Sequence, residues 1–150
     1  MTGGGAGLHL QGGTVYSEAL MPRLINPPQL GAPVGYSNGV VTEGARLLFV
    51  SGQFAYDKDR RIAGAEFCAQ FERALDNFLE VVRQSGGRPE NVAQMRIYVT
   101  DKTEYQTRLK ELGVLWRSRM GRHYPAMSHE QVAALLEEGA KVEIEGIAVL

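Results

Sequence analysis

The sequence has little of what secreted, membrane-bound or metal-binding proteins are built from. Cys68 is the only cysteine in 150 residues, so no intramolecular disulfide can form, and no CxxC or Cys/His cluster suggests zinc. The longest apolar runs, such as 47–50, are far too short to cross a bilayer, and the N-terminus lacks the basic and then apolar pattern of a signal peptide. We therefore expect a cytoplasmic protein with no membrane contact, no metal and no other cofactor.

A basic excess is also missing. The 16 Lys and Arg residues are balanced by 17 Asp and Glu residues, and the basic residues are scattered among the acidic ones rather than clustered. Because proteins that bind phosphate backbones usually carry a basic excess, we expect no nucleic-acid partner. What remains is an ordinary globular composition, 44% apolar and 22% charged, in a chain long enough for one domain.

Glycine is concentrated at the start of the chain. Six of the first 13 residues are Gly, and a second methionine, Met21, opens a more protein-like segment. Such a composition resists regular structure. The sequence predicts a flexible leader or appended extension over 1–20, with a possible edge strand in it, and a single domain over 21–150.

Alternating and helical patterns divide this domain into strands and two amphipathic helices. The predicted elements are a hairpin of strands Val40–Val41 and Leu47–Ser51, a helix Glu66–Ser85, a strand Met95–Thr100, a second helix that begins near Asp101 or Thr103 and ends at Gly121, and strands Ala126–Val132 and Val142–Val149. The order ββαβαββ predicts an α+β fold in which both helices cover one face of a shared sheet. Identical subunits are the simplest cover for the other face.

Several short segments, in this order and at this spacing, resemble the Rid (YjgF-like) family over nearly all of 28–150. They are Gly35-Tyr36-Ser37, Phe49-Val50-Ser51-Gly52-Gln53, Gln70 with Ala74-Leu75-Asp76-Asn77, Tyr98-Val99-Thr100-Asp101, Tyr124-Pro125-Ala126 and Val142-Glu143-Ile144-Glu145. The resemblance implies a chorismate-mutase-like homotrimer, in which each subunit has a mixed sheet with two helices on one face and a small-molecule pocket lies at each subunit boundary. Its active members hydrolyse enamines and imines to ketones and ammonia.

The resemblance also implies roles for individual residues. Tyr36 falls at the pocket wall, the backbone N–H groups of Ser51 and Gly52 face the ligand, and Glu143 positions or activates water. Each role has a structural alternative. Tyr36 fits an interface aromatic, Gly52 fits a strand end that needs backbone freedom, and Glu143 fits an acid on the solvent face of a strand.

One segment departs from the family pattern. Where deaminating members read Pro-Ala-Arg-Ser, this chain has Met127 in place of the arginine that pairs with the substrate carboxylate. Loss of such a pair costs about 2–5 kcal/mol of binding, so an amino-acid-derived substrate is disfavoured. His129, on the same strand face, is either a structural histidine or a proton carrier beside Glu143. Arg122 or His123 could supply a substitute cation, and Cys68 is expected to be a buried apolar residue.

Two functions follow from these residues. The first is a hydrolase that acts on a neutral or atypical C=N substrate, with Glu143 directing water, His129 assisting, and Tyr36, Ser51, Gly52 and Met127 binding the substrate. The second is a non-catalytic ligand-binding or regulatory trimer that kept the fold. They are separated by whether Glu143 and His129 face one shared cavity.

Overall fold

The computed structural model describes residues 23–30, 32, 39–41 and 46–150. The predicted leader over 1–20 lies outside these residues. The elements are β1 (Arg23–Ile25), β2 (Gly39–Val41), β3 (Leu47–Gln53), α1 (Phe67–Gln84), β4 (Val92–Val99), α2 (Lys102–Thr107), α3 (Leu109–Met120), β5 (Ala126–Gln131) and β6 (Val142–Val149), with short 3-10 turns at Pro28–Leu30 and Pro89–Asn91.

The main sheet has four strands in the order β3-β6-β4-β5. β6 runs antiparallel to both its neighbours, and β5 runs parallel to β4, so the sheet is mixed as expected. The expected hairpin between 40–41 and 47–51 is wrong, because β2 pairs with β1 in a separate two-stranded sheet while β3 pairs with β6. Turn signals near residue 44 indicated a reversal but carried no information about the pairing partner.

Helix α1 follows its predicted bounds closely. The Glu66 side chain caps it by accepting a hydrogen bond from the backbone N–H of Cys68 at 3.0 Å. The apolar positions at three- and four-residue spacing are buried against the sheet: Phe67, Phe71, Leu75, Phe78 and Val82. The chain leaves the helix at Ser85 and Gly86, which has a φ of 87°.

The second predicted helix is two helices. The Asp101 carboxylate caps α2 by accepting from the backbone N–H groups of Thr103 and Glu104 at 2.8 and 3.1 Å. The chain then restarts at Arg108, which ends α2 and begins α3. The described part of the chain thus has three α-helices where the sequence predicted two.

Strand alternation gives the sheet two different faces. Met95 and Ile97 of β4, with Val142 and Ile144 of β6, pack under the helices with no more than 1% of their surface exposed. The opposite side, here called the open face, carries Leu47, Phe49, Arg96, Tyr98, Glu143, Glu145 and Ile147. Leu47 and Phe49 remain 61% and 69% exposed. The expected class, helices on one face of a mixed sheet, is confirmed.

Two amides of α1 hold the surrounding loops. Gln70 is fully buried; its Nε2 donates to the carbonyls of Gly64 and Gly139, both at 2.9 Å, and its Oε1 accepts from the backbone N–H of Lys141 at 2.8 Å. Asn77 donates in the same way to two carbonyls of the loop that follows β3. These polar members of the Rid-like segments therefore have structural roles.

Candidate functional site

Glu143 lies on the open face of β6, directly beside the irregular end of β3. The pairing of β3 with β6 shifts register between Val50 and Gln53, and this bulge places Gly52 under the Glu143 side chain. A Cβ on Gly52 would overlap Oε1 of Glu143 and would lie only 2.6 Å from its Cδ. Glycine is required here by the close approach of a carboxyl group, so two predicted site residues lie together.

The electrostatic setting of Glu143 is unusual for a surface acid. Among the described residues, none forms a hydrogen bond or an ion pair with its carboxyl group. Burial raises the pKa of Glu143 above its usual range, and the charge of Glu145 on the same strand face adds to the effect. A carboxyl group of this kind can give and take a proton closer to neutral pH than an exposed glutamate can.

The neighbouring acid, Glu145, is held by partners that the sequence analysis missed. The Tyr98 hydroxyl donates to Oε1 of Glu145 at 2.9 Å, and Arg96 approaches the same oxygen at 3.5 Å. The hydrogen bond between Tyr98 and Glu145 raises the pKa of Tyr98. In the strand register Tyr98 stands opposite Glu143, yet its hydroxyl reaches diagonally to Glu145. Alternation in β4 could have placed Arg96 and Tyr98 on one face, but not their partner across the sheet.

A groove of about 510 Å³ opens on the other side of the sheet, between β5 and the pair α2 and α3. The residues that line it are Phe71, Ile97, Tyr105, Leu109, Leu112, Gly113, Trp116, Tyr124, Met127 and His129. Met127 and His129 face the helices because they stand in register with Met95 and Ile97 of β4. The apolar residues of α3 are divided between core and groove: Leu112 and Trp116 are buried, while Leu109 is 53% exposed and forms a groove wall.

Aromatic contacts shape both ends of this groove. The rings of Trp116 and Tyr124 stack at 5.7 Å with an angle of 11° between their planes. At the other end the ring of His129 lies 5.4 Å from that of Tyr105. His129 is exposed at the rim, but the groove wall desolvates its ring enough to lower its pKa. The imidazole is therefore mainly neutral near pH 7.

The predicted site residues form two groups in the described chain. Gly52 and Glu143 meet at the open face with Ser51 next to them, whereas Met127 and His129 meet in the groove. The two groups point to opposite sides of the sheet, and among the described residues Glu143 and His129 share no cavity. Tyr36 lies outside the described residues.

The other candidates, Arg122, His123 and Cys68, belong to neither of these two groups. His123 binds the backbone carbonyl of Val92 through Nε2 at 2.6 Å, and Arg122 is exposed in the turn after α3. Cys68 is buried, and that burial raises the pKa of its thiol to about 11, as suits an inert core residue. Within the residues described, no cluster of His, Cys, Asp or Glu could hold a metal ion, and no helix is long and apolar enough to span a membrane.

Comparison with known proteins decides the family. The model of the endoribonuclease L-PSP family, which describes the Rid proteins, matches residues 28–150. The chain belongs to the Rid family. Protein DfrA of Myxococcus xanthus is 31% identical over 133 residues, which are 85% of this chain and 95% of that protein. The bovine 2-iminobutanoate/2-iminopropanoate deaminase is 27% identical over 134 residues, 88% of this chain and 93% of that protein.

A solved Rid structure has the same fold. The YyfB protein from Yersinia pestis, described as a Rid family protein of unknown function, superposes with a TM-score of 0.76 at 29% identity, covering 87% of this chain and 100% of that one. The chorismate-mutase-like fold is therefore confirmed. In this Rid protein the described residues that line the groove with Met127 are apolar or aromatic, apart from His129 at the rim. Such surroundings suit the apolar side chain of methionine.

Proposed function

We propose that this Rid protein is a hydrolase of the imine deaminase type that acts on a neutral or atypical C=N substrate at the subunit boundaries of a homotrimer. Membership of the family and likeness to a protein named as an iminobutanoate deaminase support the general reaction. The observation that carries the proposal is the carboxyl group of Glu143, which is partly buried, lacks a hydrogen-bond partner among the described residues and is seated over Gly52.

The reaction needs one proton-handling group. Water adds to the C=N carbon while the nitrogen receives a proton, and the C–N bond of the resulting carbinolamine then breaks to give a ketone and ammonia. Glu143 in its carboxylate form takes the proton of the attacking water. In its protonated form it passes that proton to the imine nitrogen, which gives the carbinolamine. The carboxylate then takes the proton of the carbinolamine hydroxyl and delivers it to the departing nitrogen as the C–N bond breaks, so the ketone and neutral ammonia are released and Glu143 is regenerated. A raised pKa suits both steps, because each form is then accessible near neutral pH.

The opposite orientation of the two residue groups supports a site shared between subunits. Backbone positions two strands apart in a sheet are about 10 Å from each other, and the side chains of Glu143 and His129 also point away from each other. A pocket that contains both must draw them from different protomers. Leu47 and Phe49, which are exposed on the same open face as Glu143, give an apolar surface for such an association.

The groove residues favour a substrate without a carboxylate. Met127 cannot pair with an anion, and the described residues that line the groove include no lysine or arginine. Burying a carboxylate there without a partner would cost several kcal/mol, in line with the roughly 2–5 kcal/mol measured when one member of a buried charge pair is removed. We propose that Met127, Ser51, Gly52 and Tyr36 contact the substrate and that His129 assists proton transfer.

Ammonia release from a panel of imines tests this function. The panel should contain neutral aliphatic imines, neutral aromatic imines and 2-imino acids, each generated in place and corrected for the uncatalysed rate. We expect turnover of a neutral imine by the wild type and its loss in Glu143→Gln. The control is Glu138→Gln, which removes an exposed acid in the loop before β6. Light scattering should show a trimer for all three proteins, and full activity in Glu143→Gln would contradict the assignment.

One observation favours a second function, a binding or regulatory trimer without catalysis. Within one protomer the predicted acid and histidine do not share a cavity, which is what a protein without a catalytic pair would show. For this function the same panel would raise the melting temperature without releasing ammonia. The shifts would then be equal for the wild type and Glu143→Gln.

A further inference from the structure

A glycine stands in the middle of helix α3, and nothing in the described residues requires it there. Gly113 does not adopt a positive φ, and among the described residues a Cβ built on it would meet no atom within 4 Å apart from its chain neighbours and the adjacent backbone of its own helix. Glycine is the least favourable residue after proline in a helix interior, because its backbone loses the most freedom on folding. Gly52, by contrast, is required by the carboxyl group above it. Gly113 is explained if something outside the described chain approaches the helix backbone there.

Gly113 forms part of the wall of the groove. Leu109, four residues earlier on α3, extends the same wall, and Met127 of β5 lies among the lining residues contributed by the sheet. The missing side chain therefore widens the groove and exposes helix backbone inside it. Its volume of about 510 Å³ is within the 300–1,000 Å³ or so typical of small-molecule sites.

The chemistry of the walls specifies what fits. Among the described lining residues, none is Asp, Glu, Lys or Arg, and four carry aromatic side chains: Phe71, Tyr105, Trp116 and Tyr124. Aromatic faces and edges favour a flat ring placed between them. The polar groups at the rim, such as the imidazole of His129, can accept or donate one hydrogen bond without introducing a charge.

We propose that this groove binds a neutral aromatic ring of the substrate, with the ring lying against the backbone of Gly113 and facing Met127. This rests on the proposed function in so far as the ring belongs to an imine or enamine that is hydrolysed at the subunit boundary. The substrate class is thus an aryl-substituted, uncharged imine, whose product is an aryl ketone. The absence of lining charges is complementary to such a ring and opposes a carboxylate, a phosphate or an ammonium group.

Binding can be measured without turnover, because Trp116 is the only tryptophan in the sequence and lines the groove. The probes are three ethyl ketones: 1-phenylpropan-1-one as the aryl ketone, butanone as its aliphatic counterpart and 2-oxobutanoate as the charged counterpart. We expect the aryl ketone to shift the Trp116 emission and to raise the melting temperature, with an affinity at least roughly tenfold above that of either other ketone. Equal affinities for the aryl and aliphatic ketones would overturn the proposal.

Two substitutions of Gly113 distinguish the effect of groove volume on binding from the effect of helix propensity on stability. Gly113→Ala should raise the melting temperature and keep affinity for the aryl ketone within roughly threefold, since a methyl group takes little of the space. Gly113→Leu should fold as well, because none of the described residues outside the helix backbone lies within 4 Å of the new Cβ. It should nevertheless weaken aryl ketone binding by at least roughly tenfold. Met127→Arg, which introduces a charge opposite the ring, should weaken binding to a similar degree and serves if the leucine variant misfolds.

The remaining outcomes separate this proposal from the hydrolase function. Binding of the aryl ketone without ammonia release from aryl imines would leave the groove site standing and remove the hydrolase. If small aliphatic imines release ammonia at the same rate with the wild type and with Gly113→Leu, the hydrolase function would stand and the groove site would be removed. A change of trimer stability in Gly113→Leu with unchanged ketone affinity would show that a second copy of the chain fills the groove, and the proposal would be wrong.

Discussion

Replacing Gly52 by alanine tests the arrangement at the centre of the candidate site. The backbone of Gly52 is not in the left-handed region, so alanine is sterically acceptable there except for one obstacle. Its Cβ would overlap Oε1 of Glu143 and lie 2.6 Å from Cδ and 3.0 Å from Cγ. Because those atoms belong to the far end of a flexible side chain, we expect Glu143 to swing away while the strands keep their pairing.

The structural cost of this movement is small. A side chain forced about 30° off its preferred rotamer costs roughly 0.5–1.5 kcal/mol, and the carboxylate gains solvent in exchange. For a chain of this size 1 kcal/mol corresponds to about 2–4 °C in melting temperature. We therefore expect Gly52→Ala to melt within a few degrees of the wild type.

The catalytic cost is large if Glu143 handles the proton. Removing a positioned general acid or base lowers the rate by roughly 10²–10⁴-fold, and a solvated Glu143 should have a pKa nearer its usual value. The assay is ammonia release against pH with the best neutral imine. Gly52→Ala in a Glu143→Gln background should cause no further loss, since the two changes act through one group. Wild-type activity in the single Gly52→Ala variant would refute the reasoning.

Three further predictions concern stability and specificity. The pKa of Glu143 is raised in the folded protein, so its ionisation disfavours folding as the pH rises through that pKa. Glu143→Gln should therefore increase the free energy of unfolding at pH 7–8 but not at pH 4. Urea unfolding at both pH values measures this. Gln70→Leu removes the three hydrogen bonds of a buried amide and should lower the free energy of unfolding by about 3 kcal/mol, at roughly 1 kcal/mol each. The control Gln84→Leu removes one exposed hydrogen bond and should leave the free energy of unfolding almost unchanged in the same assay. Met127→Arg restores a carboxylate partner and should raise kcat/KM for 2-iminobutanoate roughly a hundredfold; an inert but folded variant would contradict the role of Met127.

The elements that were predicted well are those whose pattern is long and internally consistent. Helix α1 has five apolar positions at helical spacing and is followed by glycine, and β6 alternates over eight residues. The first and last residues of both elements were therefore predicted to within one residue. The division of the second helix at Arg108 was not predictable, because the apolar stripe continues across it and neither glycine nor proline marks the break. Strand pairing was missed for β2 since its partner β1 lies in a segment without a clear strand pattern.

The sequence selected candidate site residues but not their arrangement. Resemblance to Rid proteins selected Gly52 and Glu143, and the structure supplies the contact that links them. Alternation in β5 correctly placed Met127 and His129 on one face, but it could not say that this face looks toward the helices and away from Glu143. That relation depends on the register of a parallel pair formed by strands about 30 residues apart, which no local pattern records.

The environment of Met127 bears on whether this Rid protein lost a function or changed its ligand. If methionine had only replaced a carboxylate-binding arginine, polar groups that once accompanied the anion should remain around it without partners. Among the described residues no buried side-chain polar atom lacks a hydrogen bond, and the groove beside Met127 is lined by apolar and aromatic side chains. Gly113 keeps that groove wide at a cost to helix stability. A roomy, mostly apolar groove, in which no fully buried polar atom of the described residues lacks a hydrogen bond, favours an uncharged ligand over decay of an anion site.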